Sequence, residues 1–287
     1  MSTSWEAWRA ASTIIGRGGV TVAAYDVGPV DGPPYTFLHG YPSASIDIAA
    51  VAARLPDHRM LAVDFPGFGA SPKAPGMELS IHRAADAVEA LWADRSVAST
   101  LVVAHDYGVS VAQELLARCA EGTQPVELTA VVWMNGGLYP DIHRPTLGQE
   151  LLLDPEQGAA LAAAMDEEMF AGGIAGTWGT RVPLDAEAVH AMWCSMDESG
   201  GAHLMHELLH YLADRRTHAD RWRSALETSD LPIEFVWGDL DPVSGAHMIA
   251  RVEERIPTAA VHRLPDVGHW PPLEAPDEVA AAIRRLC

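Results

Sequence analysis

Apolar positions along the chain fall into two patterns. Continuous apolar runs of strand length occur in "VTVAAYDVG", "YTFLHG", "RMLAVDF", "TLVVAHD", "LTAVVWMNG", "IEFVWGD" and "AAVHRLPD". Such runs suit strands covered on both faces, as in a parallel sheet. Between them, "SIHRAADAVEALWADR" spaces its apolar residues helically after Ser80, a suitable N-cap, and "GVSVAQELLARCAEG" runs as a helix from Gly108 to a stop near Gly122. The alternation predicts an α/β fold: a mostly parallel sheet with helices on both faces.

After "MNGGLYP" the alternation stops, and it resumes only at "LPIEFVWGD". The intervening stretch carries helical signals and no convincing strand. The expected organisation is therefore a core of residues 1–138 and 231–287, interrupted by a helical lid at 139–230. Within the lid, "SGGAHLMHELLHYLADRRTHADRWRSALE" reads as one or two amphipathic helices, and "FAGGIAGTWGTRVP" as a glycine-rich loop able to move. No internal repeat or low-complexity tract suggests a second independent domain.

Composition narrows the function. With 287 residues, 48% of them apolar, the chain can bury a sizeable core. Its 39 acidic and 19 basic residues give a net charge of −20, which opposes binding to nucleic acid or to anionic membranes. Cys119, Cys194 and Cys287 lie far apart with no C-x-x-C spacing, so neither a disulfide framework nor a zinc site is expected. The start, "MSTSWEAWRA", lacks a signal-peptide pattern, and no apolar run reaches bilayer length. A soluble, cytoplasmic protein is the expectation.

In open parallel sheets, chemistry collects where strands end. Here "FLHGYP" ends a strand at His39 and Gly40, "VVAHDYG" ends one at Asp106, "FVWGDLDPV" ends one with Asp239 and Asp241, and "LPDVGHWPP" places His269 after the last. The chain order of candidate nucleophile, acid and histidine is that of an α/β-hydrolase.

Five motifs in this order, "HGYP", "DFPGFGASPK", "HDYG", "WGDLDPV" and "GHWPP", resemble the epoxide hydrolase and haloalkane dehalogenase group of α/β-hydrolases, in which aspartate replaces the usual serine. The resemblance covers nearly the whole chain. "HDYGVSVAQELL", "MNGGLYPDIHRP" and "LLHYLADRRTHADRW" are further similar to the branch containing the mesoderm-specific transcript proteins. It implies an α/β-hydrolase fold with an inserted helical lid. Asp106 would attack an sp³ carbon to form an alkyl ester, and His269, steadied by an acid, would activate the water that cleaves it. Asp241 fits the family's G-x-x-D arrangement better than Asp239, and Asn135 stands where some relatives keep that acid. The backbone amides of Tyr41 and Tyr107 are the implied oxyanion donors.

The resemblance also implies a lid tyrosine that assists the leaving oxygen, and Tyr211 matches it. A second is missing, because no tyrosine occurs between Pro140 and His210. Tyr139, Trp178, Trp193 and the histidines His143, His203 and His206 remain open as substitutes. Expected substrate contacts are His39, Tyr139, Trp193 and Trp270. No metal or other cofactor is expected: His203, His206 and His210 share a helical spacing but lack a matching carboxylate.

The bland readings are a buried acid at a helix start for Asp106, a loop histidine for His269 and core packing for Tyr211. The motif set favours an epoxide hydrolase acting on a small apolar epoxide-like substrate with water. Haloalkane or haloacid dehalogenation is the alternative, and a non-catalytic binding protein of the same fold is the alternative from another class.

Overall fold

The computed structural model describes residues 3–74 and 76–287. Among them are eight strands: β1 (Thr13–Arg17), β2 (Val20–Val27), β3 (Pro34–Leu38), β4 (Arg59–Val63), β5 (Ser99–His105), β6 (Glu127–Met134), β7 (Ile233–Gly238) and β8 (Ala260–Leu264). They form one sheet in the order β1-β2-β4-β3-β5-β6-β7-β8. β1 with β2 and β2 with β4 are antiparallel, and all other pairs are parallel.

Alternating residues of the central strands feed two cores, as the two-residue period of a strand requires. In β5, Val102 and Ala104 pack with the helices Ile81–Asp94 and Tyr107–Ala120, while Leu101 and Val103 face the opposite layer, where the helix Pro276–Leu286 lies. This two-sided burial explains why these strands are apolar throughout rather than alternating. Ser80 caps its helix as expected, its hydroxyl accepting from the Arg83 amide.

Three sequence expectations need correction. β1 went unread because only Ile15 of its five residues is buried and Gly16 interrupts the apolar pattern. "FAGGIA" is helical, within Glu167–Ala175, because Asp166 caps the helix through the Met169 amide and Phe170 and Ile174 pack into the core. Packing outweighs the cost of about 1 kcal/mol that each glycine imposes. The stretch expected to form one or two amphipathic helices is instead a 3₁₀ segment, Glu198–Leu204, followed by three short helices, Met205–Leu208, Tyr211–Thr217 and Ala219–Glu227. Left-handed backbone at Ser199 (φ 55°) and Gly200 (φ 78°) marks the first break.

Every regular element between β6 and β7 is helical. This segment is tied to the core at its end, where Glu114 accepts from Arg221 and, at 2.8 Å, from the Trp222 indole. No described helix is long and apolar enough to cross a membrane.

Candidate active site

Asp106 stands between β5 and the helix Tyr107–Ala120, and its backbone takes the uncommon angles φ 45° and ψ −103°. Such a conformation is costly for a residue with a side chain, about 1–3 kcal/mol, and persists only where its surroundings enforce it. The neighbours enforce it by closeness. A Cβ on Gly108 would lie 2.1 Å from the Leu38 carbonyl oxygen, and one on Gly40 would meet His105 Nδ1 at 2.9 Å and Asp106 Cβ at 3.0 Å. Only bare backbone fits around this elbow.

The elbow turns the carboxylate to where three other strand ends converge. Its Oδ2 accepts a 3.0 Å hydrogen bond from the Tyr41 amide. Its Oδ1 lies 3.7 Å from His269 Nε2. His269 Nδ1 meets Asp241 Oδ2 at 2.8 Å, so the acid fixes which ring nitrogen faces Asp106. Asp241 is itself saturated, accepting from Ser244 Oγ at 2.7 Å, Asn135 Nδ2 at 3.0 Å and the Val243 amide at 2.8 Å. Asp239, the competing acid, instead pairs with the exposed Arg263 at 3.0 Å.

The electrostatics follow from this packing. Burial alone would raise Asp241, yet His269, Ser244 and Asn135 hold it well below the usual carboxylate range. Burial alone would lower His269, but Asp241 and then Asp106 raise it to about 9. The histidine loop is pinned by Glu274, whose carboxylate accepts from the amides of Gly268, Trp270 and Gly179. His105, next to Asp106, reaches the His269 carbonyl with Nε2 at 2.7 Å, and burial pulls its pKa down to about 4.

Tyr211 is fully buried, its ring 4.8 Å from that of Tyr107. Burial raises its phenol above the ordinary value, with Arg215 opposing and Asp106 assisting. Tyr41, Trp270 and His269 line a cavity of about 150 Å³, roofed by Leu152, Met165, Phe170 and Ile174. The Trp270 indole donates to Thr177 Oγ1 at 2.9 Å and stands edge-on to His269.

The other expected contacts lie elsewhere. His39 is wedged against Phe65, its Nδ1 at 2.9 Å from the Gly40 carbonyl and its Nε2 accepting from the Phe65 amide, and burial lowers its pKa to about 4. It shapes the loop rather than lining the cavity. Tyr139 lies beneath Arg251, 5.8 Å from the guanidinium carbon, outside this cavity. Trp193 stands behind Phe170, with ring centres 5.5 Å apart. Among the described residues, no group of histidine, cysteine or acidic side chains could hold a metal ion.

Sequence reasoning missed Arg215. This buried arginine donates from Nε to Ser110 Oγ at 2.6 Å and from Nη2 to the Asp106 carbonyl at 3.1 Å, and Nη2 lies 3.9 Å from Asp106 Oδ1. Its guanidinium covers the Tyr211 ring at 4.5 Å. Gly137 makes room for it, since a Cβ there would sit 2.2 Å from Nη1. In the run "ADRRT" Arg215 looks like its neighbour Arg216, and only the adjacent "NGG" hints that something bulky needs space.

A largely parallel eight-stranded sheet with its polar cluster at the strand ends is the alpha/beta hydrolase fold. Residues 37–282 match the alpha/beta hydrolase family, and the chain belongs to it. A Mycobacterium tuberculosis protein provisionally named as the hydrolase LipZ is 36% identical over 261 residues, 90% of each chain. The mesoderm-specific transcript homolog protein of Bos taurus is 31% identical over 286 residues, covering 96% of this chain and 85% of that one. In structure, a haloalkane dehalogenase from Bradyrhizobium elkani superposes with a TM-score of 0.80 at 20% identity, over 96% of this chain and 97% of the other. At that identity the likeness is one of fold.

Proposed function

We propose that this chain is a cofactor-independent hydrolase that works through an ester on Asp106, opening a small epoxide to a vicinal diol. The observation that carries this reading is a carboxylate, in place of a hydroxyl, on the elbow between the Tyr41 amide and His269. A carboxylate displaces at saturated carbon and needs no base to be nucleophilic.

In the first half-reaction Asp106 Oδ1, the oxygen without a short hydrogen bond, attacks an epoxide carbon. The ring C–O bond breaks, and its electron pair stays on the oxygen, which takes a proton. In the second, His269 Nε2 removes a proton from water as that water adds to the ester carbonyl. The amide of Tyr41 holds the resulting oxyanion on Oδ2, joined by the amide of Tyr107 at the helix start. Collapse releases the diol and restores the carboxylate.

Charge supports the same order. Three carboxylates, Asp241, Asp106 and Glu274, raise His269 in the free protein. Esterification neutralises Asp106, removes one of them and lowers the His269 pKa, so that more of the imidazole is neutral and free to accept a proton when a base is required. The cavity of about 150 Å³ between the core and the helical lid favours a compact apolar substrate. A cavity of that size, about 150 Å³, holds a benzene-sized guest.

The test is His269→Gln incubated with an epoxide and a haloalkane panel, followed by intact and peptide mass spectrometry. A stable adduct on Asp106 from epoxides is expected. If no panel member modifies Asp106, the ester mechanism is wrong. Halide release with the same adduct would support haloalkane dehalogenation, the second reading. The small apolar cavity suits a haloalkane as well as an epoxide.

A further inference from the structure

The ester-forming step leaves a charge to be received, and the helical segment offers only Tyr211 in a matching place. None of the other candidates lines the cavity beside His269. The Trp178 indole donates to the Val182 carbonyl at 3.0 Å, Trp193 stands behind Phe170, and Tyr139 lies under Arg251. His143 has both ring nitrogens buried without hydrogen-bond partners, but it lines a different cavity, together with Asp141, Arg144 and Arg251; His203 is exposed, and His206 Nε2 faces Glu207 at 3.9 Å.

One phenol meets every requirement, and it belongs to the sheet core. Tyr41 lines the cavity beside His269 and Trp270. Its hydroxyl is shielded from solvent and has no hydrogen-bond partner in the protein. A buried, unpaired polar group of this kind costs about 1–3 kcal/mol unless something completes it. Its own amide donates to Asp106 Oδ2 at 3.0 Å, so the ring is anchored at the attacking carboxylate, and Phe68 meets the ring edge-on. Burial, then the proximity of Tyr211 and Asp106, keeps the phenol protonated far above neutrality.

We infer that Tyr41 acts twice: its amide holds the oxyanion, and its hydroxyl is the second donor, paired with Tyr211, to the oxygen of the bound substrate. This rests on the epoxide reading for its chemistry. As Asp106 forms the new C–O bond and the ring C–O bond breaks, the departing oxygen takes a proton from one phenol while the other donates a hydrogen bond. The phenolate regains its proton from His269, which has taken one from the hydrolytic water. The sum is epoxide plus water to diol, with the protein unchanged. The second donor thus comes from the "HGYP" loop, where no insertion of the helical segment can move it independently of Asp106.

Tyr41→Phe removes the hydroxyl and leaves the amide, which separates the two roles. Two measurements suffice, each on Tyr41→Phe, Tyr211→Phe and the unaltered protein. One is the rate of Asp106 alkylation by butylene oxide in the His269→Gln background. The other is the affinity of butyramide, a neutral ligand whose carbonyl accepts from phenols, followed by tryptophan fluorescence. Tyr41→Phe is expected to slow alkylation on the order of 10²-fold and to weaken butyramide about tenfold. Normal alkylation and normal affinity in Tyr41→Phe would overturn the inference and leave the epoxide reading intact. Lost affinity with no alkylation of any variant would support the donor role of Tyr41 while removing the epoxide reading. Lost affinity with unchanged alkylation would overturn the role in leaving-oxygen chemistry.

Discussion

The two sides of Asp106 are built differently. On one side, Asp241, Asn135, Ser244 and Glu274 leave the His269 loop almost fully hydrogen-bonded. On the other, the hydroxyls of Tyr41 and Tyr211 and the Nη1 of Arg215 are buried without protein partners of good geometry. A saturated network rigidifies, whereas an unsaturated one stores binding capacity for whatever completes it. In the proposed reaction the difference separates a fixed base from a site that waits for a ligand.

The sharpest break in that comparison is to remove the carboxylate between the sides. Asp106→Asn should lower turnover by about 10⁴-fold or more, read as diol formation from an epoxide, with the fold checked by circular dichroism. On the saturated side, Asp241→Asn should cost about 10³–10⁴-fold. It should also move the pH profile: the hydrolytic step needs neutral His269, so its rate rises with pH, and losing Asp241 shifts the midpoint downward. Ester breakdown followed by rapid-quench mass spectrometry from pH 5 to 10, about the range over which His269 titrates, would show the shift.

Stability probes the same charges. Because His269 is raised in the fold to about 9 from 6.5, its protonation stabilises the protein fully below pH 6.5, and that contribution is lost as pH rises through about 9. Urea unfolding should therefore show the native protein weakening over that window, and His269→Gln weakening less. On the unsaturated side, Arg215→Met leaves Asp106 and Ser110 facing a missing cation and should destabilise by about 3–5 kcal/mol. Gly137→Ala, which forces the guanidinium aside, should cost about 1–3 kcal/mol, measurable in the same unfolding assay.

What the sequence disclosed divides along the same line. Asp106, Asp241 and His269 were legible because each follows an apolar strand and precedes a turn, so chain order alone brings them to one end of the sheet. Asn135 could be placed but not understood: it binds the Gly238 backbone at both ends of its amide while donating to Asp241. Arg215 was opaque, since an arginine on an amphipathic helix reads as a solvated face until tertiary packing buries it. For Tyr41 the sequence implies a role for the amide and leaves the side chain only free to line the pocket, because side-chain direction in a loop has no periodicity to reveal it.

The contact between Thr177 and the histidine loop bears on how such a protein could be altered. The Thr177 carbonyl accepts from the His269 amide at 2.8 Å, its hydroxyl accepts from Trp270, and Gly179 and Gly268 touch so closely that neither could carry a Cβ. The segment that bounds the cavity is thus also the brace of His269, the base of the proposed reaction. A chimera that transplanted a foreign segment to change substrate preference would exchange the brace with the wall. Preference and competence are inherited here as one piece, and a donor segment would have to bring its own counterparts of Thr177 and Gly179.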